Sequence, residues 1–365
     1  MRKIKVLHII PTFSSGGAER VLLGYMKDFK NDAEIEMHAL ALAKDENSIF
    51  DNEIKNSGLN IKYAEIDANE KLSVLKRILA IRREIKRLKP DIIHSHLRIT
   101  FYVSLASLFL NVKHFIHTIH TVPQLESNGK LFIFDKFCYK YLSVFPICLN
   151  KELARTAEKF YDIPFCEYLY NGIDISKYSG FKGTKELRDK YKIPQDAYLL
   201  GHIGRFADIK NHDFIIDVFN ELKKQKDNAY LLLIGEGPLM QKIKDKCKKL
   251  GIEERVIFAG TCTNVHEMLQ IMNGFIFPSK QEGLGIALIE AQAAGLYCVV
   301  SDTIPSEAFV SGRLASLPLN AGPSKWVEAL LKEEASTDIR NELRAFSIEG
   351  VNDRLRQIYK NSIKT

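Results

Sequence analysis

Two glutamates eight residues apart frame a glycine turn in Pro278-Ser-Lys-Gln-Glu282-Gly-Leu-Gly285-Ile-Ala-Leu-Ile-Glu290. Gly283 and Gly285 leave the backbone bare where a ligand can approach. The helix expected from Leu284 onward turns unpaired N–H groups and the positive end of its dipole outward. The turn therefore offers amides to an anion and two carboxylates to a hydroxyl-rich ligand. At a rise of 1.5 Å per residue, Glu290 lies about 12 Å beyond Glu282, within the span of one extended ligand. A surface turn before a buried amphipathic helix would use a similar composition, so the segment has to be weighed with its partners.

Cations are the first of these. Gly201-His-Ile-Gly204-Arg205-Phe-Ala-Asp-Ile-Lys210-Asn puts an arginine after an apolar run and a lysine five positions on, where a helix is expected to start. Arginine presents a planar fork to two phosphate oxygens and lysine a compact charge, a pair suited to a diphosphate that gains charge as it leaves. By analogy with the loss of one oxyanion donor, removing either raises a barrier by roughly 3–4 kcal/mol. Pro11-Thr-Phe-Ser-Ser-Gly16-Gly17-Ala-Glu-Arg20 carries two glycines at a second helix start and reads as a phosphate cradle. Its spacing is not that of the Gly-x-Gly-x-x-Gly dinucleotide fingerprint, and a plain strand-to-helix turn also uses glycine. Ile116-His117-Thr-Ile-His120 ends an apolar run, so the His120 imidazole is expected to emerge at a strand end, although a lone histidine is as often a structural hydrogen bonder. His94, His96 and His117 lie at nearby strand ends. Four such histidines suggest zinc, but their strands differ and no Cys or Glu completes a ligand spacing, so no metal site is expected.

These segments must be held by regular elements. The first half alternates apolar runs at 4–10, 35–42, 61–66, 91–95 and 113–119 with amphipathic stretches. The second half repeats the rhythm, with apolar runs at 199–203, 230–234, 256–259, 274–277 and 297–301. Both halves read as α/β, each a parallel sheet wrapped by helices. Leu231-Leu-Leu-Ile-Gly235-Glu-Gly237-Pro238 fits as a strand followed by a helix start. At 365 residues the chain exceeds one ordinary core. The polar stretch from 170 to 197, with Gly180, Gly183 and Pro194, makes the best linker. The expected division is 1–175, 176–345 and a terminal helix over 346–365. Open parallel sheets hold ligands at the carboxyl ends of their strands, so two facing sheets would create a cleft lined by the segments above.

The six cysteines are scattered, with no Cys-x-x-Cys pair, which points away from a zinc ribbon or disulfide framework and fits a reducing cytoplasm. The apolar run from Val6 to Ile10 is too short for a signal-peptide core, and that from Phe101 to Val112 too short to span a bilayer. Net charge is only +7, but residues 71–98 hold nine Lys and Arg against Glu84 and Asp91. Over 71–89 helical spacing buries Leu72, Leu75, Leu79, Ile85 and Leu88 and turns Lys76, Arg77, Arg83, Lys86 and Arg87 outward. A solvated face is the plain reading. Docking on an anionic membrane is the alternative, at about 1 kcal/mol per basic side chain. Nucleic acid is disfavoured because no aromatic residues interleave with the charges.

The Pro-Ser…Glu282…Glu290-Ala-Gln-Ala-Ala-Gly295 segment, with Arg205, Lys210 and Gly-Gly-Ala-Glu-Arg after Ile-Ile-Pro, resembles the retaining nucleotide-sugar glycosyltransferases of family 4, of the exopolysaccharide and capsule type. The resemblance covers nearly the whole chain. It implies a GT-B fold of two facing Rossmann-like domains with an interdomain cleft, the first binding acceptor and the second donor. The terminal helix would cross back to the first domain. The resemblance also implies a nucleotide-diphosphate sugar donor, expected to be a UDP-sugar, and a saccharide acceptor, expected to be lipid-linked. The enzyme would work in the cytoplasm, peripheral on the inner face of the membrane. Glu282 and His120 would face the donor sugar, Glu290 the ribose, Arg205 and Lys210 the diphosphate, and Gly16, Gly17, Gly283, Leu284 and Gly285 would complete the donor site. Loops near 235–238 and 259–261 would hold the base through backbone groups. No Asp-x-Asp motif is present, so metal-independent turnover is expected, with no cofactor beyond the donor substrate. The sequence departs from many members at Thr303-Ile-Pro305-Ser306-Glu307, where a glycine pair is common, which puts detailed sugar contacts in doubt. Two other classes share the rhythm. A nicotinamide-dependent oxidoreductase would need the missing fingerprint, and a silent subunit would not need the filled catalytic positions.

Overall fold

The computed structural model describes residues 2–364 except 15, 46, 47, 49, 65, 67–72, 127–129, 179, 181–183 and 333–342. Lys71 and Leu72 of the basic stretch, Gly183 of the expected linker and residues 335–342 of the charged tail lie outside the described residues. The chain separates into two compact units, Met1–Gly172 with Glu349–Thr365, and Ile173–Ile348. The expected boundaries at 175/176 and 345/346 each fall three residues from these. Ile173 already belongs to the second unit, where its N–H donates to the Phe346 carbonyl at 2.8 Å and its carbonyl accepts from the Ile348 N–H at 3.1 Å.

In the first unit β1 (Ile4–Ile10), β2 (Ile35–Ala41), β3 (Ile61–Tyr63), β4 (Ile92–His96), β5 (His114–Ile119), β6 (Val144–Cys148) and β7 (Glu167–Tyr168) form a parallel sheet ordered β3-β2-β1-β4-β5-β6-β7. Helices α1 (Gly17–Asp28), α2 (Asp51–Ser57), α3 (Ser73–Leu88), α4 (Thr100–Ser107), α5 (Pro123–Glu126), α6 (Lys130–Tyr141) and α7 (Lys151–Tyr161) make the connections. Strands covered on both faces need apolar side chains on both, and Val6, Leu7, Ile9 and Ile10 are all buried. The helix Ile348–Lys364 also packs in this unit. Val351, Leu355, Ile358 and Tyr359 recur at helical spacing and enter the cluster that contains Val6, Ile10, Ile92 and Ile116. Ion pairs Arg356–Asp32 and Arg354–Glu167, both 2.8 Å, flank the helix.

The basic helix departs from expectation. Only its second half is buried, at Ile81, Ile85 and Leu88, whereas Leu75 and Leu79 are about half exposed, at 52% and 50%. Several cations also serve the fold: Arg82 donates to the carbonyls of Ala106 and Leu108 at 3.0 and 2.7 Å, and Arg87 pairs with Glu84 at 2.5 Å. No described helix is long and apolar enough to cross a membrane.

In the second unit β8 (Tyr198–Ile203), β9 (Ala229–Ile234), β10 (Val256–Gly260), β11 (Gly274–Phe277), β12 (Tyr297–Ser301) and β13 (Leu314–Leu317) form a parallel sheet ordered β10-β9-β8-β11-β12-β13. Helices α8 (Thr184–Lys190), α9 (His212–Gln225), α10 (Met240–Lys249), α11 (Val265–Gln270), α12 (Ile286–Ala293) and α13 (Pro323–Leu330) surround it. Trp326 is fully buried edge-on to Phe214, ring centroids 5.2 Å apart, and donates to the Pro318 carbonyl at 3.3 Å. In each sheet strand order reverses at one place, between β1 and β4 and between β8 and β11, the topological positions where open sheets bind ligands.

Candidate functional site

At the β8/β11 reversal of the second unit, the loop after β8 carries Arg205 and the loop after β11 carries Glu282. Lys210 ends a single 3-10 turn, Asp208–Lys210, rather than starting the helix as expected; α9 begins two residues on, after Asn211 at φ +56°. Its ammonium donates to Glu282 Oε1 at 2.5 Å and lies 5.4 Å from the centre of the Phe277 ring. The pair is largely shielded, with side-chain exposures of 19% and 9%. Arg205 is exposed, and its guanidinium has no protein partner among the described residues. One cation is thus committed to a carboxylate while its neighbour in sequence is free for a ligand.

The backbone explains how the loop is held. Gly204 N–H donates to the Ile234 carbonyl and Phe206 N–H to the Glu236 carbonyl, both at 3.0 Å, so the turn after β9 grips the turn after β8. Gly235 has φ +134°, and a Cβ there would lie 2.2 Å from the Gly204 carbonyl oxygen. Only glycine permits that approach. The Gly235-Glu-Gly237 segment therefore shapes the Arg205 loop, a role its sequence alone did not reveal.

On the other side, α12 starts at Ile286 behind Gly285, whose φ is +79°. Leu284, expected at the helix start, is instead buried below it. No side chain caps α12, which leaves its first amides for an anion. Glu290, on the helix, accepts a hydrogen bond from the Tyr178 hydroxyl at 2.6 Å, a partner with no signal in the local sequence. The departing segment Ser301–Thr303 is tied to the β11 exit, both hydroxyls donating to the Ser279 carbonyl at 2.5 and 2.8 Å.

The first unit's reversal has a different chemistry. The expected phosphate cradle at Gly16 and Gly17 is already supplied with an anion. Buried Glu19 folds its carboxylate back over the start of α1, 2.3 Å from where a Gly16 Cβ would stand, and accepts from Ser14 Oγ at 2.9 Å. A side chain at Gly16 would have to displace the end of the Glu19 side chain, and a phosphate at this turn would meet the same carboxyl group; a Cβ on Gly17 would meet nothing within 4 Å. His120 follows β5 as expected. Its N–H and that of Thr121 donate to Glu126 Oε2 at 3.0 and 3.3 Å, while Glu126 Oε1 lies 3.4 Å from His117 Nε2. His120 Nε2 lies 3.0 Å from His96 Nδ1, which brings in histidines assigned no role from sequence. His8, His94 and His96 are buried with nitrogens within 4.8 Å of one another. Burial holds His8 down to about 3 and His120 to about 4, the latter against the opposing pull of Glu126, so both stay neutral near pH 7. The available signal was their register: His8 pairs level with His94, and His96 follows at i+2 on the same face.

A cavity of about 350 Å³ in the first unit, lined by Lys113, His114, Ser143, Glu167, Arg354 and Ser362, lies at the amino ends of β5 and β6, away from these residues.

Comparison with known proteins supplies the remaining context. The profile described as "Glycosyl transferases group 1" matches residues 183–312, and that described as "Glycosyltransferase Family 4" matches residues 15–177. EpsF of Bacillus subtilis, named as a glycosyltransferase, is 26% identical over 349 residues, covering 91% of this chain and 88% of that one. The capsular polysaccharide biosynthesis glycosyltransferase CapH of Staphylococcus aureus is 26% identical and covers 98% of both chains. An Escherichia coli UDP-Gal:alpha-D-GlcNAc-diphosphoundecaprenol alpha-1,3-galactosyltransferase is 24% identical over 62% of both. Among solved structures, a Rickettsia africae glycosyltransferase superposes with TM-score 0.83 at 17% identity, covering all of both chains. Anabaena HepE, solved with UDP and glucose, superposes with TM-score 0.77 at 15% identity, covering 98% of this chain and 100% of that one.

Proposed function

Since the chain belongs to the family 4 glycosyltransferases and has their pair of Rossmann-like domains, we propose that it moves a sugar, with retention at the anomeric carbon, from a UDP-sugar to a lipid-linked saccharide in surface polysaccharide assembly. The observation that carries the reading is the Lys210–Glu282 pair beside an Arg205 with no partner among the described residues, at the switch point of the second sheet. A diphosphate entering there would meet the free guanidinium, share Lys210 with Glu282 and align with the open amides of α12. Glu282 would then accept from sugar hydroxyls, and Glu290, oriented by Tyr178, from the ribose. His120 would bond a hydroxyl of the transferred sugar.

In the transfer, the bond from the anomeric carbon to the diphosphate oxygen breaks and the acceptor oxygen bonds on the same face. The acceptor's proton passes to the departing phosphate oxygen. Arg205 and Lys210 take up the charge that builds on that oxygen, so the reading needs no metal ion or cofactor. HepE with UDP and the diphosphoundecaprenol-dependent relative support the donor and acceptor classes.

Reversible seating on the inner face of an anionic membrane would bring such an acceptor within reach. The first unit leaves Leu75 and Leu79 on α3, Phe109 after α4, and Ile133 and Phe137 on α6 exposed, with α3 packed on α4 and α4 on α6. Unlike the basic helix alone, this surface joins insertable apolar groups to cations. Replacing Phe109 and Phe137 with serine should cut sedimentation with anionic vesicles severalfold; unchanged sedimentation would remove this part of the reading.

The enzyme assignment is tested by thermal shift with UDP against NAD, and by slow hydrolysis across a panel of nucleotide sugars with and without chelator. A shift with NAD alone, or undiminished turnover in Glu282→Ala, would overturn it. Activity lost on chelation would overturn its metal independence.

A further inference from the structure

Four histidines and a tyrosine of the first unit form one unbroken line of hydrogen bonds. His120 Nε2 lies 3.0 Å from His96 Nδ1, and His96 Nε2 lies 3.0 Å from His8 Nδ1. His8 Nε2 is 3.3 Å from the Tyr359 hydroxyl, which is 2.8 Å from His94 Nδ1. His94 Nε2 ends the line 2.7 Å from Thr118 Oγ1. Three adjacent strands and the helix Ile348–Lys364 supply the members. The His94 and His96 rings are stacked with centroids 4.5 Å apart, so neither can turn without disturbing the other. Every ring nitrogen in the line but one has a partner; the exception, His120 Nδ1, has none among the described residues.

A neutral imidazole has one N–H and one bare nitrogen. When the contact between two rings joins an ε nitrogen to a δ nitrogen, one must donate and the other accept, so fixing one ring fixes the next. Two arrangements satisfy the whole line with the Tyr359 hydrogen bonded within it. In the first, His120, His96, His8 and His94 all carry hydrogen on Nε2, the tyrosine donates to His94 Nδ1, and His120 Nδ1 is bare. In the second, all four carry hydrogen on Nδ1, Thr118 donates to His94 Nε2, the tyrosine donates to His8 Nε2, and His120 Nδ1 becomes a donor. Passing between them shifts one proton across each contact, takes one up at His120 Nδ1 and gives one up from the Thr118 hydroxyl, so every ring ends neutral and the total number of protons is unchanged.

We propose that His96, His8, Tyr359 and His94 are positioning residues that set the tautomer of His120, and so decide whether its outward nitrogen donates to or accepts from a ligand hydroxyl. Burial supports this by keeping the rings neutral. A cation in the line would hold hydrogen on both nitrogens and break the coupling. The functional consequence rests on the reading that His120 meets a sugar hydroxyl, whereas the tautomer coupling does not.

The test therefore reads the nitrogens directly. In full-length protein labelled with ¹⁵N-histidine, protonated and bare ring nitrogens resonate far apart, and single histidine-to-glutamine variants assign each ring. The four rings should share one tautomer. Tyr359→Phe removes one oxygen and cuts the line between His8 and His94, so it should turn the His120 signals into a mixture of tautomers, with other histidines such as His202 unchanged. Turnover should then fall by up to about tenfold, as for one lost hydrogen bond, with donor KM unmoved. Different tautomer populations among the four rings of the wild type, or His120 nitrogens unmoved in Tyr359→Phe, would overturn the proposal. One tightly held zinc per purified chain would overturn it too, since His8, His94 and His96 would then be ligands. A coupled line in a protein with no transferase activity would uphold the proposal and remove the functional reading instead.

Discussion

Arg205 and Lys210 are proposed to meet the same diphosphate, yet their surroundings predict unequal effects on stability. Arg205→Ala removes an exposed side chain with no protein partner among the described residues, so unfolding free energy should stay within about 0.5 kcal/mol of wild type. Lys210→Met leaves the Glu282 carboxylate, only 9% exposed, without the cation 2.5 Å away. Breaking a fully buried pair costs about 3–5 kcal/mol. With the lysine itself 19% exposed, water compensates part of this, and about 1–3 kcal/mol is expected. At roughly 2–4 °C per kcal/mol for units of this size, Tm should fall by about 2–12 °C. Both variants should nevertheless lose about 10²–10³-fold in kcat, since each removes a group that meets charge on the leaving oxygen. The double variant Lys210→Met, Glu282→Leu should regain most of the lost stability and none of the activity. Calorimetric Tm and the rate of nucleoside diphosphate release give both quantities on the same preparations. If Arg205→Ala keeps its turnover within about threefold, or if the two single variants are equally destabilised, the assignment of a free and a committed cation is wrong.

Glu290→Ala should weaken UDP binding roughly 10–100-fold, the equivalent of charged hydrogen bonds, and Tyr178→Phe only a few fold because its hydroxyl orients Glu290; unchanged titration calorimetry in Glu290→Ala would refute the ribose role. Gly235→Ala places a methyl group 2.2 Å from the Gly204 oxygen at φ +134° and should cost about 1–3 kcal/mol from overpacking alone, whereas Gly295→Ala, with nothing within 4 Å, should lose only the roughly 1–2 kcal/mol of left-handed strain. Denaturant midpoints of the two variants decide whether the β9 turn braces the Arg205 loop. Buried His8 and His212 stay neutral when folded down to about 3 and 4, but bind protons near pH 6.5 when unfolded. The unfolded chain then holds more protons in that window, so stability is complete above about pH 6.5 and falls below it by up to about 1.4 kcal/mol per pH unit for each. Denaturant midpoints that are flat between pH 7 and 5 would contradict this, and His8→Gln should make the slope shallower.

The parallel sheets were legible because strands covered on both faces are apolar on both, as Val6, Leu7, Ile9 and Ile10 and the run Leu231–Ile234 are. Strands β6, β7 and β13 were not: β7 is two residues long, and β13 has only partly covered or exposed side chains. Arg205, Lys210 and Glu282 could be found because their types and spacing carry the chemistry locally. Tyr178 lies 112 positions from Glu290, and Tyr359 lies 265 from His94. Such partners meet only through tertiary packing, which leaves no period or motif to read. The basic helix failed for a related reason. Helical spacing ranks faces by hydrophobicity, but the neighbouring elements decide which part of the apolar stripe is covered, and Leu75 and Leu79 lie beyond that cover.

The two switch points divide the electrostatic work. In the second unit a carboxylate and two cations are held ready, and the backbone that carries them is fixed by glycine contacts no side chain could make. Charge is therefore available where a diphosphate would need it, at the cost of shielding Lys210 with a carboxylate until a ligand arrives. In the first unit the Glu19 carboxyl group fills the helix start expected to cradle phosphate, and burial keeps His8, His94, His96 and His120 uncharged. A neutral hydrogen-bonding group that can donate or accept suits a sugar hydroxyl, which does both, better than a cation, which only donates. Introducing such a cation tests the division directly. His120→Lys should lower turnover, because an ammonium can only donate where the neutral imidazole can donate or accept. If the variant instead turns over as fast as wild type, the neutrality of this end has no part in the reaction.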